Sequence, residues 1–383
     1  MYLTPQYDFR DVLLAPAKAL SAKKIFLMTL ALCVALVVYD AFTYLAVAIS
    51  GESAGSFFAV YGLLPITWLS FSSVVARFVY ILGVAGAVLA FMLGCFGVSA
   101  LNVEEMRGNR FFATGGVMRF SLRRFTQLFL AELAIVLFVA FIVLLAFVLG
   151  LVARIPFLGE WLYALFFVVP NFIVALFCVF IIFVTIASVI LLPAVAAAER
   201  HGEVFAVLLE TFSTIIRQPV RWLLYTGYSL AAAKVCGFVF AYFAYRAVQF
   251  LSYSASLGAG NKVWRLLKSG MSHLPTDSRL VEQTCNIFPG IKWSFSISRW
   301  TYGGGDQAAG YLMAVMLFLV FAIVIGYMLA IVATAQARAF AVIRCVKDGY
   351  KISDEAPLFF QEEHVNPPVE ETGESQSGED RVK

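Results

Sequence analysis

The sequence predicts an all-α polytopic membrane protein with six transmembrane helices, arranged as three hairpins with cytoplasmic amphipathic helices and an outer loop cap. Of the 383 residues, 61% are hydrophobic and only 14% are charged, whereas soluble domains carry about 25% charged residues. The apolar residues are gathered in long runs, and about 20 such residues let a helix cross a bilayer. In addition, charged amphipathic segments recur between pairs of runs.

Six apolar runs are long enough to span a membrane. They are Ile25–Ala48, Phe78–Leu101, Phe125–Leu151, Asn171–Val195, Trp222–Leu251 and Ala308–Ala333. The first run is longer than the apolar region of a signal peptide, so we expect it to be retained. Pro170 separates the fourth run from an apolar lead-in, Trp161–Val169. This lead-in is either a re-entrant or interfacial segment or an extra turn of a kinked helix.

The distribution of lysine and arginine predicts the orientation, because cytoplasmic loops are enriched in these residues. The first and third loops between the spans hold only Arg77 and Arg154, whereas the termini and the even-numbered loops are rich in basic residues. The long fifth loop carries further basic residues, but long loops count less toward topology. We therefore expect both termini in the cytoplasm.

Three parts of the chain are distinguished by composition. Residues 1–24 are predicted to be a cytoplasmic segment on the membrane surface, with Lys18, Lys23 and Lys24 as lipid anchors. Residues 25–351 form the six-helix domain, in which the long fifth loop, 252–307, is expected to fold into an outer cap. Within that loop, Thr301–Gln307 is predicted to be a flexible linker. Residues 352–383 are acidic and predicted to be disordered.

An amphipathic helix is predicted over Val204–Arg217, where apolar residues follow helical spacing and charged residues fall on the other side. Similar segments follow the second span, Asn102–Arg124, and the sixth span, Arg338–Tyr350. One interpretation is that the chain consists of three degenerate hairpin units. The other is that any loop close to lipid becomes amphipathic.

Short motifs lie close to the ends of the fourth and sixth spans. They are Glu199, Gly202, Ala206 and Arg217, and then Arg344, Asp348 and Gly349. In these motifs the chain resembles a group of six-helix bacterial integral membrane proteins, which includes the membrane domain attached to some glycerophosphoryl diester phosphodiesterases. The resemblance covers roughly Lys24–Lys351. It implies a six-helix fold in a bacterial inner membrane, and the 383 residues hold no phosphodiesterase domain.

Four charged residues fall inside the predicted spans: Asp40, Glu132, Lys234 and Arg246. Charges in this position are costly and mark candidate functional sites. At a rise of about 1.5 Å per residue, Lys234 lies about 18 Å into its span, near the midplane. In a structural interpretation, Lys234 pairs with Glu132 and Asp40 while Arg246 reaches the outer headgroups. In a functional interpretation, these groups form a polar pathway with Lys234 as its switch.

The second span carries small residues at intervals of four, namely Gly86, Ala90 and Gly94. Small residues at this spacing let two helices approach closely. They mark either a face for a partner or second copy, or packing within the bundle.

Signatures of enzymes are not found in the sequence. The three histidines, His201, His273 and His364, are far apart, and none of the six cysteines forms a CxxC pair. We therefore expect no catalytic residue, no metal site and no cofactor.

The leading hypothesis is a non-enzymatic membrane scaffold or accessory subunit. Its expected partners are membrane lipid and either another membrane protein or a second copy of the chain, with no nucleic acid. The alternative is a small-molecule or ion transporter that uses Asp40, Glu132 and Lys234, and a membrane enzyme ranks third. The transporter hypothesis lacks clearly broken helices at corresponding positions, which are the usual sequence sign of a transport site.

Overall fold

A computed structural model describes residues 5–61, 65, 69–109, 113–152, 154–156, 158–272, 274 and 304–357. The helices in this part of the chain are α1 Phe9–Leu13, α2 Ala15–Ala19, α3 Ala22–Ser50, α4 Ala54–Tyr61, α5 Val74–Met106, α6 Thr114–Arg123, α7 Phe125–Val152, α8 Leu158–Leu162, α9 Val168–Ala198, α10 Val204–Arg217, α11 Pro219–Ala259, α12 Asn261–Ser272 and α13 Gly304–Asp348. A π-helix, Tyr163–Phe167, joins α8 to α9, and a 3-10 turn, Ile352–Asp354, follows α13.

Among the described residues, six helices are long and apolar enough to cross a membrane, namely α3, α5, α7, α9, α11 and α13. This confirms the predicted all-α polytopic class. The lead-in to the fourth span is helical and runs into α9 through the π-helix. It therefore extends the spanning helix, in agreement with the extra-turn interpretation.

The six spans form three hairpins around a common centre. Helices α5, α9 and α13 contact one another at the centre, while α3, α7 and α11 lie outside, each against the central helix of its own hairpin. Helix α3 also packs on α13, and α7 packs on α5. Trp222 of α11 meets Phe183 of α9 edge-on, with ring centroids 6.1 Å apart. Each outer helix therefore packs on the central helix of its own hairpin and also touches the central helix of another hairpin. Whether the three hairpins are repeated units stays an interpretation of the sequence.

A short helix precedes each hairpin: α1 and α2 come before α3, α6 before α7, and α10 before α11. We call the end of the bundle that carries these helices the basal end, and the opposite end the distal end. The segments predicted to follow the second and sixth spans differ in part from the structure. Residues 102–106 belong to α5, and 338–348 are the last turns of α13. The reason is burial, because Asn102, Glu104 and Arg338 pack inside the bundle instead of facing a membrane surface.

Small side chains allow the central helices to approach closely in the basal half. Residues 194–198 of α9 are all buried, and α5 and α13 contribute further small buried residues in the same layer. These are Ser99, Ala100, Ala330, Ala333, Ala337 and Ala341. Since small residues bring helix backbones together, the polar groups described below can reach from one hairpin to the next.

The distal end differs from the predicted cap over 252–307. Helix α11 continues to Ala259 and ends at Gly260, which has a left-handed φ of 62°. Helix α12 then turns back, and its Leu267 and Met271 pack against Leu317 of α13. The glycine run predicted to be a flexible linker is in part helical, because α13 begins at Gly304. Of the aromatic residues in this loop, Trp264 lies on α12, and Phe288, Trp293, Phe295 and Trp300 lie outside the described residues.

The small residues of the second span pack within their own hairpin. A Cβ atom added to Gly86 would lie 2.9 Å from Val38 Cγ1, and one added to Gly94 would lie 3.2 Å from Met28 Sδ. Both contacts are with α3, while Ala90 between them is half-buried. This placement favours bundle packing over a partner face at Gly86 and Gly94.

We expect Gly94→Leu to destabilise the protein by about 1–3 kcal/mol, the usual cost of inserting atoms into a packed interface. The measurement is the thermal unfolding midpoint in detergent. Gly150→Leu is the matched control, because a Cβ atom at Gly150 of α7 meets nothing within 4 Å. Equal midpoints for the two variants would contradict close packing of α5 against α3.

Candidate functional site

The four charged residues predicted inside the spans are distributed over all three hairpins. Asp40 lies on α3, Glu132 on α7, and Lys234 and Arg246 on α11. Within the described part of the chain, none of them forms an ion pair with another. The structure therefore does not place Lys234 between Glu132 and Asp40, and it does not gather the charges into one polar route.

Two of these residues are satisfied by neighbours in the same hairpin or helix. The hydroxyl of Ser188 on α9 donates a hydrogen bond of 2.8 Å to Glu132 Oε2. Arg246 Nε donates to Tyr242 Oη at 3.1 Å, and Arg246 Nη1 donates to Gln249 Oε1 at 3.0 Å. Glu132 thus ties α7 to α9, and Arg246 is held by its own helix near the distal end.

The other two lack such partners. Asp40 Oδ1 is buried, and no hydrogen bond to it is found among the described residues. Lys234 is exposed on α11, and the described part of the chain offers its ammonium group neither a hydrogen bond nor an ion pair.

A basal polar cluster, centred on Glu355, joins all three hairpins. Arg107 at the end of α5 donates from Nε to Glu355 Oε2 at 3.0 Å and also pairs with it through Nη2. Arg200, which follows α9, pairs with the same oxygen at 3.1 Å. Arg107 Nη2 also donates to the carbonyl of Ala198 at 3.1 Å. Because Glu355 follows α13, one carboxylate connects the ends of the three central helices.

Further bonds complete the charge balance around Arg107 and Glu355. Arg107 Nη1 pairs with Glu104 at 3.1 Å, and both side chains are almost fully buried. The hydroxyl of Tyr350 donates to Glu355 Oε1. Burial raises the pKa of Glu355, but the bond from Tyr350 and the positive charges of Arg107 and Arg200 outweigh it, so the pKa lies below its ordinary value.

The order of this segment corrects the prediction that disorder begins at residue 352. Ile352 is fully buried, and the Ser353 N–H donates to the hydroxyl of Tyr7 at 2.6 Å. The ion pairs of Glu355 hold the segment in place. The remainder of the acidic tail, from residue 358, lies outside the described residues.

Lys24 is a second correction, since it was predicted to anchor the chain to lipid. Its side chain is 1% exposed and forms an ion pair of 2.9 Å with Glu105. It also donates to Asn102 Oδ1 at 2.9 Å and to the carbonyl of Lys18 at 3.0 Å. Asn102 in turn donates to Thr334 Oγ1 of α13 at 3.1 Å. Lys24 thus belongs to the interior of the fold and connects α3 to α5, and Asn102 extends this connection to α13.

The N-terminal segment and α10 are fixed to α13 as well. Val12 and Ala15 pack against Ala335, Ala339 and Val342. On the other side, Lys347 pairs with Glu210 of α10 at 2.7 Å. The basal end is therefore a connected unit in which acids and bases are matched across helices. No group of three or more His, Cys, Asp or Glu residues that is able to hold a metal ion occurs in the described part of the chain.

Sequence reasoning identified some of these residues but not their role. Glu104, Glu105 and Arg107 were assigned to a surface segment, and Glu355 was assigned to a disordered tail. The available signal was the placement of Asn102, Thr334 and Gln336 within otherwise apolar helix ends, since a polar side chain there needs a partner.

Comparison of the chain with protein families, with curated proteins and with solved structures gives no match. The resemblance to six-helix bacterial membrane proteins therefore stays a prediction. The fold defines the class: the protein is an integral membrane protein with six candidate spanning helices among the described residues.

We expect Glu355→Gln to destabilise the protein by about 3 kcal/mol, because it removes one of the two carboxylates that neutralise the buried Arg107 and also the carboxylate that pairs with Arg200. The thermal unfolding midpoint in detergent measures the effect. Glu160→Gln, at an exposed acid of α8, is the matched control and should leave the midpoint unchanged. A midpoint for Glu355→Gln as high as that of the control would show that the basal cluster contributes no stability.

The contribution of Glu355 should also depend on pH. A carboxyl group whose folded pKa is lowered stabilises the protein above its unfolded pKa, about 4.3, and loses this effect as pH falls through the folded pKa. The midpoints of the wild type and Glu355→Gln should therefore differ by a constant amount at neutral pH and converge below about pH 4. A gap that widens on acidification would contradict the lowered pKa.

Proposed function

We propose that the protein is a non-enzymatic scaffold or accessory subunit that binds another membrane protein within the bilayer. The observation that carries this proposal is the basal polar cluster. Glu355 links the three central helices, and Lys24 and Asn102 together link α3, α5 and α13. Because breaking a buried ion pair costs about 3–5 kcal/mol, these contacts oppose movement of one hairpin against another. A rigid bundle suits a platform for assembly.

The exposed surface of the spans also supports binding. In α9, the buried residues lie between Ile181 and Ala198, and in the part of the helix before them, toward the distal end, most residues are exposed. Helix α11 is fastened mainly to α13 and α12 along one side. Lipid or a membrane-protein partner is the natural occupant of such surfaces in a bilayer.

The alternative, transport of a small molecule or ion, has one observation in its favour. Asp40 Oδ1 is buried without a hydrogen-bond partner among the described residues, and unpaired polar groups within a membrane mark transport pathways. The absence of contact between Asp40, Glu132 and Lys234 disfavours a shared route.

Purification in mild detergent, followed by quantitative mass spectrometry, tests the proposal. We expect a membrane-protein partner at a fixed stoichiometric ratio. As a parallel test, the purified chain in proteoliposomes should produce no flux that Asp40→Asn or Glu132→Gln abolishes. Gln at position 132 still accepts the bond from Ser188, so the variant should fold. A flux that disappears in a folded Asp40→Asn protein would favour the transporter.

A further inference from the structure

Lys234 occupies a position in α11 where a charge is costly. It lies about 18 Å along the helix from the buried Trp222, and the hydrocarbon core is about 30 Å thick. The ammonium group is therefore near mid-depth, where a lysine costs about 2.5–3.5 kcal/mol on insertion scales. A lysine near the end of a spanning helix avoids this cost because its side chain can extend to the membrane interface. Lys234 is too far from either end for that.

The side chain also faces away from the protein. Ser229, Ala233 and Gly237 form the buried side of α11, and a Cβ atom on Gly237 would collide with Met328 of α13. Lys234 is exposed, and its ammonium group has no partner in the described part of the chain. Helix α11 therefore packs on the bundle through one side, and the charge of Lys234 lies on a different, exposed side.

Two small residues lie on the same exposed side of α11 as Lys234. This side contains four exposed residues at helical spacing, namely Gly227, Ala231, Lys234 and Phe238. A Cβ atom on Gly227 would meet nothing within 4 Å. We call these four residues the Lys234 stripe. Small residues next to a polar group are the usual composition of a surface at which membrane helices associate.

We propose that the Lys234 stripe docks a transmembrane helix of a partner protein that carries an Asp or Glu at mid-depth. The charge of Lys234 selects a carboxylate, and Gly227 and Ala231 let the partner backbone come close enough for it to reach. This inference rests on the proposed function and specifies the chemistry of the partner.

A second copy of the chain fits the stripe less well. A two-fold pairing through the stripe would bring Lys234 toward Lys234 of the other copy, and like charges repel. The acids within the described spans lie on other helices, where Glu132 accepts the bond from Ser188 and Asp40 Oδ1 is buried. Charge complementarity therefore points to a different protein.

The first test uses a synthetic probe and does not require the natural partner. The probe is a transmembrane peptide of Leu and Ala with one central Glu, and its counterpart carries Gln. Binding to the purified full-length protein in lipid vesicles is measured by fluorescence energy transfer. We expect the Glu peptide to bind about ten-fold more tightly than the Gln peptide, which corresponds to about 1.4 kcal/mol. This preference should disappear in Lys234→Met and persist in Lys234→Arg and in the control Arg246→Met.

The second test uses the native membrane. A photo-reactive residue at Ala231 should cross-link a protein with an acidic residue in a span, and Lys234→Met should lower its recovery about ten-fold. Recovery of the same partner from wild type and Lys234→Met would overturn the docking site alone. Failure to recover any partner from the wild type would overturn the proposed function. The peptide test would still show whether the Lys234 stripe binds a helix that carries a carboxylate.

Three other outcomes would overturn the docking site. They are equal binding of the Glu and Gln peptides, cross-links from position 231 only to a second copy, and cross-links only to residues 273–303 of the same chain. Since Lys234 is exposed, Lys234→Met should unfold no earlier than the wild type, so loss of binding cannot be attributed to unfolding.

Discussion

The structure depends on how the charge of Arg107 is neutralised. Its side chain is 0% exposed at the point where the three hairpins converge. A buried guanidinium is tolerated only with a carboxylate and further hydrogen bonds around it. Glu104 supplies one carboxylate from the same helix, while Glu355 arrives from a segment 248 residues later in the chain. The second pairing requires the segment after α13 to fold back, which also brings Ser353 to Tyr7 and fixes the N-terminal segment.

Close packing of small residues makes this arrangement possible. Arg107 reaches the carbonyl of Ala198, and Asn102 reaches Thr334, because α5, α9 and α13 approach one another through Ala and Ser side chains. The same residues supply little apolar area, so at the basal end polar contacts contribute more to the specificity of helix packing. Toward the distal end, larger apolar side chains replace the small ones, and many of them are exposed. The bundle is thus fixed at one end and exposed to its surroundings along much of its length.

Hydropathy was sufficient to predict the spanning helices, because the cost of an unsatisfied backbone in lipid leaves few alternatives. The contacts between helices were not predictable in the same way. Lys24 lies beside a predicted span, where a lysine is typical of a lipid anchor, and only its neighbours Asn102 and Glu105 make it internal. Glu355 adjoins an acidic tail whose composition predicts disorder. Each depends on a partner more than 75 residues away along the chain, which periodicity and composition do not register.

The contacts of the charged residues within the spans were also not predictable from the sequence. Their approximate depth follows from counting residues, but a helix that is apolar on every side gives no sign of which side faces the bundle. The outer helices carry Asp40 on α3, Glu132 on α7, and Lys234 together with Arg246 on α11. The environments of Asp40, Glu132 and Lys234 differ. Glu132 is bonded across its own hairpin, and Asp40 is turned partly inward. Lys234 alone among these three projects from an exposed side, and no partner for its ammonium group is found among the described residues. This difference in environment distinguishes the third hairpin from the other two.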